Sequence, residues 1–218
     1  MTLGRSSANM LSTYQGESKH SVRSVFHNVQ FSKSNHPTNK KVLTDIYQKS
    51  DFEDFFEEFK FCLEACLMHE EKSASVERTL DFAADFAVSF SFGLKEEESC
   101  PLLERTFQFI FDSHDSDIQL VRLRICQLMN RLLDNMGHDA TVLEETYNKI
   151  AVNMLMRMQD SMSSVRTQAV YALHRLQSPN DPKCDIIQAF IYHMTHDPSH
   201  EVRRAIIQKI AVNKMTLA

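Results

Sequence analysis

The sequence predicts an all-α protein, an α-solenoid of stacked helical hairpins, and three observations carry that expectation. A short signature recurs: Val76-Glu77-Arg78, Val121-Arg122, Val165-Arg166 and Val202-Arg203 each open an apolar run with helical spacing, and successive copies start 45, 44 and 37 residues apart. Only 4 glycines and 5 prolines occur in 218 residues, too few turn formers for sheets, beside long runs of good helix formers. Hydrophobic residues make up 43% of the chain, enough for a continuous core. A period of about 40–47 residues with two helices per unit is that of HEAT or armadillo hairpins.

The elements follow in order. Residues 1–20, rich in Ser, Gly, Asn and Thr, read as a disordered lead, and 21–218 as one HEAT-like solenoid of about four to five hairpins, the last truncated. Val22, Val25, Phe26 and Val29 have helical spacing, and Pro37 suits the first turn of a second short helix carrying Val42, Leu43, Ile46 and Tyr47. Asp51 caps a long helix. Phe52, Phe55, Phe56, Phe59, Cys62, Leu63, Cys66 and Leu67 form its apolar stripe, with Glu53, Asp54, Glu57, Glu58 and Glu64 opposite. First helices of the hairpins (A helices) are expected at 51–69, 101–113, 141–158 and 182–195, and second helices (B helices) at 74–92, 117–136, 162–177 and 199–214. Pro101 and Pro182 stand at first-turn positions, the latter after a capping Asp181, and Asp197-Pro198 marks the last turn within a hairpin. The acidic stretch 93–100 reads as an exposed linker.

Composition excludes several functions. No uncharged apolar run approaches the roughly 20 residues that cross a bilayer, so no membrane partner is expected and the chain should be soluble. No apolar segment follows Met1 as a secretory signal would. The odd set Cys62, Cys66, Cys100, Cys126 and Cys184 lacks any C-x-x-C pair and suits reduced core thiols. G-x-S-x-G, H-E-x-x-H and Walker patterns are absent, and the carboxylates of 51–104 follow helical spacing as a solvated face. His193, His196 and His200 lack a Cys or acid to complete a zinc spacing. The chain therefore reads as a non-enzyme, with no catalytic residue, metal or cofactor. Ser178-Pro179 fits a proline-directed phosphorylation site or a plain turn between hairpins.

Charge is unevenly placed. Residues 1–50 carry a net +5, residues 51–115 a net −12 and residues 116–218 a net +2, within an overall −5. The basic start and final half suit a polyanion; the acidic middle does not.

Two polar rows are legible. Asp160 and Asp197 each precede the Val of a signature by five residues, which is the turn position from which a HEAT Asp meets a signature Arg. Asp160 and Asp197 with Arg122, Arg166 and Arg203 are thus expected to form a structural ladder between units; at the earlier turn the matching residue is Ser116, between Asp115 and Asp117. For the second row, Val165, Ala169, Ala172, Leu173 and Leu176 turn inward, so Gln168, Tyr171 and Arg175 share an outer face, and Arg124, Gln127 and Arg131 take the equivalent face one unit earlier. B helices line the concave side of such stacks. An Arg/Gln row there suits a phosphate backbone, held without reading sequence, or equally a peptide partner.

A family resemblance rests on these residues. Ser75-Val76-Glu77-Arg78-Thr79-Leu80-Asp81-Phe82-Ala83-Ala84-Asp85-Phe86, then Val121 to Cys126 through Asn130-Arg131-Leu132-Leu133, then Val165 to Val170 through Leu173-His174-Arg175-Leu176-Gln177, and Glu201-Val202-Arg203-Arg204-Ala205 run in the order seen in the condensin G-subunit (CAP-G) family. The chain resembles the amino-terminal HEAT repeats of that family over about residues 21–218. The resemblance implies a non-catalytic condensin subunit that binds the kleisin (CAP-H type) subunit and grips double-stranded DNA. The resemblance implies too that a separate SMC ATPase dimer drives mitotic chromosome condensation, with the protein in the nucleus and on chromosomes and a cytoplasmic pool. It also implies DNA-facing positions at the matching basic residues Lys72, Arg124, Arg131, Arg157, Arg175, Arg204 and Lys209. Two departures remove positive charge: Glu70-Glu71-Lys72 stands where the family often has a basic pair, and Gln159-Asp160-Ser161 where it tends to carry lysines. Family members are several times longer, so a fragment or short form is expected. The alternative is a HEAT adaptor that binds protein alone.

Overall fold

Residues 21–69, 74–92, 100–137, 143–181 and 183–211 are described by a computed structural model of the chain. The expected disordered lead, the linker residues 93–99 and Lys72 lie outside them. Ten α-helices and no strand occur among the described residues.

Local chemistry sets the ends of the helices. α1 (Val22–Val29) opens on a capping box in which the Ser21 and Ser24 side chains each accept from the other's backbone. After a short 3-10 turn (Lys33–Asn35), α2 (His36–Lys49) carries its proline in the first turn. Asp51 caps α3 (Phe52–Leu67): its Oδ1 accepts the amides of Glu53 at 2.9 Å and Asp54 at 3.3 Å. α4 (Ala74–Val88) stops four residues short of the expected end. The Ser89 and Ser91 hydroxyls donate to the carbonyls of Phe86 and Val88, offering that backbone an alternative to the helix. α5 (Pro101–Ser113) and α6 (Gln119–Asn135) form the next hairpin, then α7 (Glu144–Arg157) and α8 (Ser163–Leu173), which tightens into a 3-10 turn (His174–Leu176). The last pair is α9 (Asp185–His196) and α10 (His200–Lys209). α9 starts later than the Pro182 expectation because Asp181 first closes a turn, accepting the Lys183 amide on Oδ1 and the Cys184 amide on its carbonyl.

The helices stack in two layers. α3, α5, α7 and α9 pack side by side as one layer, and α4, α6, α8 and α10 as the other, each helix also meeting its hairpin partner. α1 and α2 cover the α3–α4 end. This translation of hairpins is an α-solenoid. The core runs unbroken through it. At the first end it is aromatic: Phe26 meets Phe59 edge-on at 5.4 Å and Phe82 at 6.0 Å, with Phe55 and Phe86 stacked behind. Each fully buried phenylalanine contributes on the order of 2–3 kcal/mol. The inward set of α8, Val165, Ala169, Ala172, Leu173 and Leu176, is buried. All five cysteines are buried and unpaired. Burial, ahead of neighbouring charges, pushes the Cys62, Cys66 and Cys126 thiols up to about 12, so they pack as small hydrophobes.

Candidate functional site

The turns between paired helices hold a repeating ion-pair ladder. Arg122, at the start of α6, sends Nη1 back to the Ser116 and Asp117 carbonyls of its own turn, at 2.8 and 3.2 Å. Its Nε and Nη2 reach forward to the Asp160 carboxylate of the next turn, at 2.6 and 3.2 Å. Arg166 repeats both moves one unit on. Nη1 meets the Asp160 and Ser161 carbonyls at 2.8 and 3.3 Å, and Nε and Nη2 form a fork on Asp197 at 2.8 and 2.7 Å. Arg203 makes the backward contact, Nη1 to the Asp197 carbonyl at 2.5 Å, and meets no carboxylate among the described residues. Each Asp also caps its own turn, accepting the Met162 and Ser199 amides at 3.0 and 2.9 Å. Arg157 joins the first rung by donating to Asp160 at 3.3 Å and Asp115 at 2.8 Å.

Burial alone would raise the Asp160 and Asp197 carboxyls. Hydrogen bonds from Arg122 and Met162, and from Arg166, Ser199 and His193, outweigh it and hold both groups below the ordinary range. A depressed folded-state value stabilises above the unfolded value of about 4 and is lost as pH falls through the folded value. The thermal midpoint is therefore expected to fall as pH drops below about 4. Replacing Asp160 and Asp197 together by Asn should flatten that fall; an unchanged profile would exclude the ladder as its cause.

The ladder also absorbs a histidine whose role the sequence hides. His193 is buried, with Nδ1 3.2 Å from Asp197 Oδ2 and Nε2 3.2 Å from Gln159 Nε2. Both contacts are satisfied when Nδ1 donates to the carboxylate and Nε2 accepts from the Gln159 amide. The four-residue spacing to Asp197 was the available signal. His196 instead stacks on Tyr192 at 4.6 Å.

In the B-helix layer the basic side chains are placed differently from the face arithmetic. Arg124 does not face outward: it is 2% exposed, and its Nη1 donates to the carbonyls of Cys66 at 2.6 Å and Leu67 at 3.3 Å. The reason is that α6 also packs on the last turn of α3, where unpaired carbonyls and the negative end of the helix dipole draw a cation. Arg157 is likewise buried against its two carboxylates. Arg131 is ringed by acids of α4: Nε donates to Asp81 at 2.6 Å and Nη2 to Glu77, while Nη1 meets the Gln127 carbonyl at 3.1 Å. Arg175 caps α6 through the carbonyls of Met136 at 2.7 Å and Gly137 at 3.2 Å, and faces no carboxylate among the described residues. Lys209 lies 5.7 Å from the centre of the Tyr171 ring. Arg204 is exposed and makes no ion pair among the described residues. Glu77, Asp81 and Asp115, which neutralise these cations, were not singled out as site residues by sequence, because their partners lie 42 to 54 positions away.

Fold and ladder together define the class: this is a HEAT-type α-solenoid, a stack of hairpins whose turns are tied by arginine and aspartate. No family model matches the chain. It is similar to condensin complex subunit 3 of Xenopus laevis, 36% identical over 203 residues, and of Homo sapiens, 35% identical over 202 residues, in each case over 90% of this chain and 20% of the relative. The chain thus spans about a fifth of the length of the curated relatives it matches. A chain in the crystal structure of the S. pombe condensin Cnd3-Cnd2 subcomplex superposes with a TM-score of 0.73 at 25% identity, covering 88% of this chain and 24% of that one.

Proposed function

We propose that this chain acts, through HEAT repeats in residues 21–218, as a condensin subunit of the third (G) type, non-catalytic and holding the kleisin subunit and double-stranded DNA in mitotic chromosome condensation. The observation that carries the reading is the likeness to condensin complex subunit 3 over nine-tenths of the chain, joined by the shared hairpin stack of a protein solved together with Cnd2. On this reading the kleisin is the direct protein partner, the SMC ATPase dimer is reached through the complex, no cofactor is used, and the protein works in the nucleus and on chromosomes, with a cytoplasmic pool. Arg204, Lys209 and Arg175, which meet no carboxylate among the described residues, are the foremost duplex contacts, and Arg131, paired with Glu77 and Asp81, is a secondary one. Lys72 is retained from the family resemblance.

A second reading, a protein-only adaptor, is favoured by one observation: Arg124, Arg131 and Arg157 already have partners within the chain. Salt series on a random-sequence duplex, with and without a kleisin segment, separate the two. Changing Arg204 and Lys209 together to Glu is expected to lower affinity about tenfold or more and to reduce the salt slope by about two, with the helical circular dichroism kept. Unchanged affinity in a folded variant would favour the adaptor.

A further inference from the structure

The α4 face that meets Arg131 breaks the repeat. Glu77, Asp81 and Asp85 follow one another at four-residue intervals along α4, and cations reach them from three other elements. Arg131 of α6 takes Glu77 and Asp81, Lys33 of the 3-10 turn meets Asp81 at 2.5 Å, and Lys40 of α2 meets Asp85 at 2.7 Å. Gln127 adds a hydrogen bond to Glu77 at 3.3 Å. In the following unit Arg175 occupies the place of Arg131, 44 residues on, and the positions 45 residues beyond Glu77 and Asp81, the step from Val76 to Val121, are Arg122 and Cys126, neither of them an acid. Arg175 accordingly keeps its net charge, while Arg131 does not. The acids also lie outward: the Glu77 side chain is 48% exposed and that of Arg131 18%.

We infer that Glu77 and Asp81 are built-in counter-charges that withhold Arg131 from a phosphate backbone, so that a duplex must displace a carboxylate before this guanidinium can grip it. The inference rests on the duplex-binding reading above. A displaced carboxylate stays beside the duplex as an unpaired negative charge and offsets the phosphate that the guanidinium neutralises, so in the parent chain Arg131 adds little to affinity or to its salt dependence.

A double-mutant cycle in the full chain tests this. Arg131→Gln is introduced into the parent and into a Glu77→Gln/Asp81→Asn background, and binding to a random-sequence duplex is measured between about 50 and 200 mM salt. Circular dichroism melts check that each variant is folded. The near-isosteric acid replacements leave Gln127 and Lys33 in place, and comparing backgrounds cancels any gain from a freed Lys33. Arg131→Gln is expected to lower affinity less than about twofold in the parent and about tenfold in the acid-neutralised background, where it also reduces the salt slope by about one. An equal effect in both backgrounds, or none in either, overturns the inference while leaving the Arg204 and Lys209 contacts standing if the parent binds. A parent that binds no duplex, beside an acid-neutralised chain that binds through Arg131, overturns the duplex reading and supports the counter-charge. Absence of binding in every variant overturns both.

Discussion

An Asp197→Ala chain is expected to unfold about 3–5 kcal/mol more easily than the parent in denaturant titrations. The carboxylate side chain is 1% exposed and receives four donors: the Arg166 fork, the Ser199 amide and His193. Removing it leaves the Arg166 guanidinium, itself buried, with two backbone carbonyls and no anion. Mutual attraction of the pair is the smaller part of the effect; the stranded cation is the larger. Replacing Arg166 by Met and Asp197 by Leu together should therefore recover much of what the single change loses. A loss under about 1 kcal/mol for Asp197→Ala would show that the rung is solvated and does not tie the units.

Reversing Arg124 to Glu is expected to be comparably severe, about 3–5 kcal/mol, and to act through folding instead of ligand binding. The face arithmetic of the sequence puts Arg124 beside Arg131 and Arg175, so that reversing all three would weaken a duplex contact and spare the fold. In the structure Arg124 holds the terminal carbonyls of α3. A glutamate there would set a buried carboxylate against the carbonyl oxygens of Cys66 and Leu67 and the dipole's negative end. The check is a urea melt followed by circular dichroism at low temperature. A folded Arg124→Glu chain with lowered duplex affinity would overturn the burial.

What the sequence made legible was local and periodic. The signature spacing gives the hairpins, the phenylalanine stripe of α3 gives its inner face, and the five-residue step from Asp160 to Val165 and from Asp197 to Val202 points to the carboxylates that Arg122 and Arg166 meet. What stayed hidden depends on the neighbour that covers a face. Spacing from Val121 assigns Arg124 to the outside of α6, but the end of α3, 57 to 58 positions earlier, lies over it. The same limit concealed the acids around Arg131 and the place of His193 in the ladder. Helix ends shifted where serine hydroxyls or an Asp turn competed with the backbone pattern, as at Ser89 and Asp181.

The two-handed grip of Arg122 and Arg166 has a mechanical consequence. Since one guanidinium clasps the main chain behind it and the carboxylate ahead, a pull or twist applied at one coil is handed to the next before either opens. The stack then yields as a spring whose coils flex in concert, not as separate beads slipping on a thread.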